Sequence, residues 1–459
     1  VDPASPELKA LLQRCREAPA DDLPRLVLAD WLDEHGDADR AAFVRVQLAL
    51  SHPSADTVQH AQLKVLEQTF IQANFEAWVG ELQPILNGLR YGSEANRGLT
   101  AFAPRIATPG RALNLTLRRG CIQLRHLDPT WLSDPALRAW LRSPAGDWLE
   151  QIGLVGMTPD AFERLDLPPE CRGRIRILLR KPSQEFANFS VFGPGRLSSR
   201  DDLAPHDWQR FFRNPNFNAI RSLAVESGLP FLRELGQTDV GRLVELEFRS
   251  LAENAEIARI LATIPFRSLS GLDFGPVSEG AMRSIVASPY LRNLAEWNLI
   301  GSPLGDGGMR ALCESPLAQS LRSASFPNTG IGDDGLEALV RSPIFEHLNS
   351  PSLNLMMNRI GDRGVTTLAE SEHLLRYREI VLRENNCGDR GAADLAASES
   401  AANLTHVDFW RNRIGDAGAA ALSQSPHLGR IVDLCLKENR IGPDGEAALF
   451  EGFGDRVKV

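Results

Sequence analysis

In the C-terminal third of the chain, apolar and polar positions first alternate, then fall into a helical spacing, and then the whole pattern starts again. Residues 404–418 read Leu-Thr-His-Val-Asp-Phe-Trp-Arg-Asn-Arg-Ile-Gly-Asp-Ala-Gly, and residues 431–445 read Ile-Val-Asp-Leu-Cys-Leu-Lys-Glu-Asn-Arg-Ile-Gly-Pro-Asp-Gly. Val407 and Phe409 alternate with His406, Asp408 and Trp410, the period-2 signature of a short strand with one buried face. Asn412 follows, matched by Asn358, Asn385 and Asn439, with Thr329 and Ser302 in the same place in earlier copies. A polar side chain held inside a turn there would satisfy backbone groups that the strand leaves open. Next comes Ile-Gly-Asp-x-Gly. Asp306, Asp333, Asp362, Asp389 and Asp416 stand where a helix N-cap belongs, and Pro443 in the last copy would shift the cap to Asp444. Apolar pairs such as Leu336 with Leu339, or Val365 with Leu368, predict a helix of about two to three turns. Ser-Pro steps at Ser288, Ser315, Ser342 and Ser425 then stop it, because the residue before proline is pushed out of the helical region.

The corner glycine recurs at Gly305, Gly332, Gly361, Gly388, Gly415 and Gly442, in steps of 27, 29, 27, 27 and 27 residues. Strand, turn, helix and return at that period predict right-handed parallel crossovers stacked into a solenoid, each unit burying its neighbour's apolar side. The pattern L-x-x-L-x-L-x-x-N-x-I-G-D-x-G resembles the leucine-rich repeats of the ribonuclease-inhibitor type. The resemblance is strong over 294–450 and weaker upstream. It implies a right-handed horseshoe solenoid with parallel strands on the concave face and helices on the convex face; with the helices read upstream, the expected fold class is α/β, a small N-terminal helical domain followed by that solenoid.

Upstream, Ser5 and Pro6 predict a helix over 5–17, and Asp22 a second one whose apolar face is Leu23, Leu26, Val27 and Trp31. A third follows His35-Gly36-Asp37 with Ala41, Phe43, Val44, Val46 and Leu48, and a fourth runs through Leu63, Leu66, Phe70 and Phe75 to Trp78. The phrase 22–47, with Ala29-Asp30-Trp31-Leu32, Gly36-Asp37, Arg40-Ala41 and Phe43-Val44-Arg45-Val46-Gln47, resembles the repeat-companion domain found ahead of repeats in many planctomycete and myxobacterial proteins. Ala42 stands where that family usually has Glu. The resemblance implies an accessory module, and it brings no biochemical role with it. The expected division is therefore a helical domain over 1–80, a connection over 81–110, divergent repeats over 111–293 with an irregular segment near 181–215, and regular repeats over 294–459. The divergent units are read from Leu149-x-x-Ile152-x-Leu154, Ile220-x-x-Leu223-x-Val225, Leu243-x-x-Leu246-x-Phe248 and Leu269-x-x-Leu272-x-Phe274. Phe450, Phe453, Val457 and Val459 would close the far end.

At 459 residues the chain exceeds one ordinary globular core, a limit that repeat arrays escape by growing along one axis. A net charge of −9 argues against a nucleic-acid groove or an anionic membrane surface. Six cysteines without a CxxC pair suggest neither a zinc site nor a disulfide framework, and favour a reducing, cytoplasmic compartment. No apolar run approaches the length of a membrane span, and no signal peptide is visible, although the sequence begins at Val1.

Function on such a solenoid is expected on the concave strand face. There Met356, Arg383, Trp410 and Lys437 would form one row, since adjacent strands lie roughly 4.8 Å apart. His406, Asp408 and Asp433 would lie beside them. A Trp between Arg and Lys fits a protein-binding hot spot; a solvated sheet face with a few large residues fits it as well. His406 and Asp408 with Cys435 one strand over make a catalytic constellation that lacks an oxyanion-stabilising group. One carboxylate per Gly-Asp-x-Gly turn is sparse for calcium, so capping is the better account of each Asp. No Walker, HExxH or GxSxG motif is present. The sequence thus predicts a non-enzymatic scaffold for a protein partner, without cofactor, metal, nucleic acid or membrane insertion, with the helical domain capping the solenoid or recruiting something else. A second reading is a regulator of a partner enzyme, an inhibitor or a GTPase activator, with Arg383 and Arg411 as candidate arginines. A third is an enzyme that works through the helical domain or residues 181–215.

Overall fold

The computed structural model describes residues 5–17, 21–51, 57–80, 82, 84–86, 115–119, 121–127, 129–155, 162–171, 174–179, 205–226, 229–249 and 254–459. Almost all of the expected connection 81–110, and most of the segment 181–215, lie outside the described residues. The chain forms two compact units, one mainly within residues 1–238 and the other mainly within 246–459.

The first unit opens with four helices, α1 (Pro6–Glu17), α2 (Leu23–Glu34), α3 (Ala38–Ser51) and α4 (Thr57–Val79). Ser5 caps α1 as expected, its Oγ accepting from the N–H of Glu7 at 3.2 Å. Gly36, at φ +85°, turns the chain out of α2, and Asp37 Oδ1 accepts the N–H of Arg40 at the start of α3. The five apolar residues expected in α3 are buried. Three expectations need correction. The expected apolar face of α2 points outward: Leu23 is 64% exposed, and Leu26 and Val27 are 42% exposed. The buried face is Arg25, Leu28, Ala29 and Leu32. A buried guanidinium is tolerable only when paired, and the pairing carboxylate, Glu150, lies far along the chain, where local patterning cannot see it. Asp22, for its part, occupies the N-cap position without a side-chain cap bond and sits 3.4 Å from Arg119. In α4, Phe75 and Trp78 are buried as expected, whereas Leu66 is exposed and Ile71 faces the core.

Strands β1 (Leu115–Arg118), β2 (Cys121–Leu127), β3 (Leu149–Val155), β4 (Ile175–Leu179) and β5 (Ile220–Glu226) complete this unit. β1 and β2 are antiparallel; β2 through β5 pair in parallel. β4 was not evident from the sequence, and Pro205–Arg213 is a helix inside the stretch read as irregular.

The second unit carries β6 (Glu245–Arg249), which starts at its boundary, then β7 (Gly271–Asp273), β8 (Glu296–Asn298), β9 (Ser323–Ser325), β10 (Ser352–Asn354), β11 (Glu379–Val381), β12 (His406–Asp408), β13 (Asp433–Cys435) and β14 (Val457–Lys458). From β7 to β9, and again from β10 to β14, neighbours pair in parallel. The middle residue of each short strand from β10 to β13 is buried between two half-buried ones, as the alternation predicted.

The corners hold the units together by two sets of side-chain bonds running in opposite directions. Each turn Asn reaches back. Asn412 Oδ1 accepts the N–H of Cys387 in the preceding unit at 2.9 Å, and its Nδ2 donates to the carbonyls of Leu382 at 2.8 Å and Phe409 at 3.0 Å. Asn358, Asn385 and Asn439 repeat the arrangement, and Ser302 serves Val277 in the same way. Each corner Asp reaches forward. The expectation that it caps its own helix is overturned: the N-cap residues are Gly332, Gly361, Gly388, Gly415 and Gly442. The Asp side chain instead accepts the N–H of the N-cap glycine in the next unit, at 2.7 Å for Asp306 to Gly332 and 2.5 Å for Asp389 to Gly415. Pro443 therefore displaces no cap to Asp444, since Asp416 from the preceding unit serves Gly442 at 2.6 Å. The second glycine of Gly-Asp-x-Gly follows from the same contact. A Cβ on Gly335 or Gly445 would stand 2.5 Å from that carboxylate oxygen.

The one 29-residue step has a visible effect. The two extra residues, Ser350 and Pro351, interrupt the parallel pairing, so β9 and β10 fall in different sheets. Pro351 has no N–H to give, and Ser350 turns on itself, its Oγ bonding both the N–H and the carbonyl of Ser352. At the far end, Phe453 and Val457 cover the last core as expected, but Phe450 is 51% exposed.

Candidate functional site

Beyond each three-residue strand the backbone ladder runs on for one more bond. The residue before the turn Asn sits in the left-handed region: Met357, Glu384, Arg411 and Glu438 have φ of +55° to +57°. That geometry aims the N–H of Met357, Glu384 and Arg411 at the carbonyls of Arg383, Trp410 and Lys437 in the following units, at 2.8, 2.8 and 2.9 Å. Asn328 does the same to Met356 at 2.8 Å. Met356, Arg383, Trp410 and Lys437 are thereby tied into one row at the edge of the strand face.

Trp410 is the centre of the row. Arg383 Cζ lies 4.2 Å from its ring centroid and Arg411 Cζ lies 4.4 Å away, so one indole carries two guanidinium groups. Asp408 lies beside the pair, accepting the backbone N–H of Trp410 at 2.8 Å with Oδ1 and standing 3.6 Å from Arg383 Nε with Oδ2. Arg411 donates to Glu438 at 2.6 Å and approaches Glu384 at 3.9 Å. The bond to Glu438 raises the Arg411 guanidinium above its usual range. Trp410 and Arg383 are half-buried, whereas Lys437 and Arg411 are exposed.

The other expected residues lie close by and do different things. Asp433 holds Lys458 of β14 at 2.5 Å. His406 Nδ1 is 2.9 Å from Thr405 Oγ1, a bond to its sequence neighbour rather than to Asp408. Asp408 and Cys435 face each other in the register of β12 and β13. Burial pushes the Cys435 thiol up; a backbone bond at Lys437 opposes this and the Asp408 carboxylate adds to it, which favours the protonated thiol over a nucleophile. Asn358, Asn385, Asn412 and Asn439 are spent on backbone groups. Among the described residues no cluster of three metal-ligating side chains occurs, and no helix is long and apolar enough to cross a membrane.

Sequence reasoning placed the row and named Arg411 as a candidate arginine, but not its position against Trp410. Arg411 falls on the turn, outside the strand alternation, and the left-handed backbone that swings it onto Trp410 leaves no mark in a residue type that normally avoids it. Glu384 and Glu438 escape notice for the same reason.

A family model described as Leucine Rich repeat matches residues 352–369 and 400–423. Among curated proteins no match is found. Among solved structures the chain is similar to an internalin, InlF, from Listeria monocytogenes str. 4b F2365, at 15% identity over 69% of this chain and 76% of that one, with a TM-score of 0.35. It is also similar to the ectodomain of the Arabidopsis thaliana receptor kinase GASSHO1/SCHENGEN3 in complex with Casparian strip integrity factor 2, at 11% identity, 68% and 41% coverage and a TM-score of 0.29. A third is the plant peptide hormone receptor RGFR1 in complex with RGF2, at 12% identity, 55% and 48% coverage and a TM-score of 0.27.

Proposed function

We propose that this α/β leucine-rich-repeat solenoid with an N-terminal helical region is a non-enzymatic scaffold that binds a protein partner on its strand face, around Trp410. Leucine-rich repeats commonly serve as protein–protein interaction modules, and the unit spacing here resembles the ribonuclease-inhibitor type. The observation that carries the reading is the Arg383–Trp410–Arg411 cluster. Two guanidinium groups lie against one indole on an accessible face, and Arg411 is also bonded to Glu438, so part of the conformational entropy is already lost before binding. The net charge of −9 supports a protein partner over nucleic acid. A cytoplasmic setting fits six scattered cysteines without a CxxC pair.

The rival reading, a regulator that lends an arginine to a partner enzyme, is less well supported. Arg411 would have to leave both its indole and Glu438 to act in trans. The test is affinity capture from the native host with the intact protein and with Trp410→Ala. A specific protein captured by the former and lost by roughly tenfold or more from the latter is expected. A partner retained in full by Trp410→Ala would move the interface elsewhere, and GTP hydrolysis by the captured protein stimulated only when Arg411 is present would favour the rival.

A further inference from the structure

Resting on the reading that the partner docks around Trp410, we infer that it does so with an acidic segment, which seats a side-chain carboxylate on Arg383 and Lys437 and an apolar residue toward Met356. The basis is which cations of this face already have an anion. Arg411 is bonded to Glu438 at 2.6 Å and lies 3.9 Å from Glu384. Lys458 is bonded to Asp433 at 2.5 Å. Arg383 is different. Its Cζ lies 4.2 Å from the Trp410 ring centroid, and its Nε stands 3.6 Å from Asp408 Oδ2, beyond hydrogen-bond reach. That Nε is buried and has no hydrogen-bond partner among the described residues. Lys437, two strands on and roughly 10 Å away, is exposed and enters no ion pair among the described residues.

Along the strand edge the row thus offers Lys437, the Trp410 indole, Arg383 and then the half-buried Met356, with Met357 beside it. A guanidinium stacked on a ring keeps its in-plane donors for a planar carboxylate, and such a charge-assisted pair is about twice as strong as a neutral bond. The carboxylates nearby are engaged elsewhere: Asp408 gives one oxygen to the backbone N–H of Trp410, and Glu384 and Glu438 face Arg411. Glu379 stands four residues back along the chain, roughly 13 Å from Arg383 in extended backbone. A purely apolar segment would cover two cations and give them nothing, and a basic one would be repelled. A carboxylate next to an aliphatic or aromatic residue answers both ends of the row, and the adaptable methionines accept either kind of apolar neighbour. With a net charge of −9 the chain as a whole repels such a segment, so selection comes from these contacts and not from long-range attraction.

The test uses the full chain and short peptides blocked at both ends, so that terminal charges play no part. One set pairs Glu or Asp with Leu or Phe at varied separation, and a matched set carries Gln or Asn in place of the acid. Binding is read by fluorescence anisotropy. The expected result is an acidic peptide that binds about tenfold or more tighter than its amide twin, the gap closing to less than about threefold in Arg383→Gln and narrowing in Lys437→Gln. Arg383→Lys keeps the charge and loses the fork, so it is expected to fall between. Acidic peptides that bind no better than their amide twins, or do not bind at all, overturn the inference, as does an acid preference that persists unchanged in Arg383→Gln. Amide twins whose binding is lost in Trp410→Ala would leave the strand-face reading standing without the carboxylate. Acidic binding indifferent to Trp410→Ala would count against both.

Discussion

Asn412 shows how much of this architecture rests on single side chains. Its one acceptor and two donor hydrogens serve three backbone groups within 3.0 Å, two of them in the preceding unit. Replacing it by Leu keeps the size and strands those groups in the interior. The cost of orphaned buried polar groups, about 1–3 kcal/mol each, predicts a loss on the order of 3 kcal/mol after partial relaxation. Denaturant unfolding of Asn412→Leu checks this, and exchange should rise at Cys387, whose N–H loses its acceptor. The Asn was legible as a turn residue because its spacing is periodic. Its direction was not, because strand alternation describes one unit at a time. Arg25 shows the opposite failure. A patterning argument puts Leu23, Leu26 and Val27 inward because they are apolar, yet the helix turns its Arg to the core. The deciding partner, Glu150, is 125 residues away.

At the scale of the helix, the corner Asp is the informative case. Local rules assign a carboxylate before a helix to that helix's own N-terminus. Here Asp389 is the first residue of helix Asp389–Ala397, and its carboxylate is engaged by Gly415 and Gly418, 26 and 29 residues on. Asp389→Ala is therefore expected to cost about 1 kcal/mol, the usual worth of a cap, and to speed amide exchange in helix Asp416–Ser423 more than in its own. Faster exchange confined to 389–397 would contradict the assignment. Gly418→Ala supplies a second check. Its Cβ would stand 2.8 Å from Asp389 Oδ1, so the variant should be destabilised, and Asp389→Ala should relieve part of that penalty in the double variant. Ile414 Cγ2 is equally close, at 2.8 Å, so the relief will be incomplete.

Across the second unit, most of the architecture could be read in advance because the period itself is the signal. Strand positions, buried faces and the row through Trp410 all follow from counting 27 residues. What counting could not reveal is where one miscount matters. Ser350 and Pro351 lengthen one step, and the sheet parts there, while Asn358 still bonds across the same junction to Thr329 and Ile331. Backbone bonds from Asn349 to the Arg322 carbonyl and from Asn328 to that of Met356 flank the gap, so the units stay joined on either side and part only along the three-residue strands. Deleting Ser350 and Pro351 restores the 27-residue step. The expected outcome is pairing of β9 with β10 and slower amide exchange in 323–325 and 352–354. An unchanged exchange pattern would place the cause of the parting in Ser323–Ser325 instead.

The opposed reach of Asn and Asp has a consequence for the history and engineering of such a chain. A segment cut from one Gly-Asp corner to the next contains half of each connection: a hand extended to the left, a hand extended to the right, and a place for each neighbour's hand. Splicing in another copy at any corner leaves no grip empty in the middle. Lengthening or shortening by whole units is thus far gentler than changing a single corner residue, and only the two ends of the row need parts of their own.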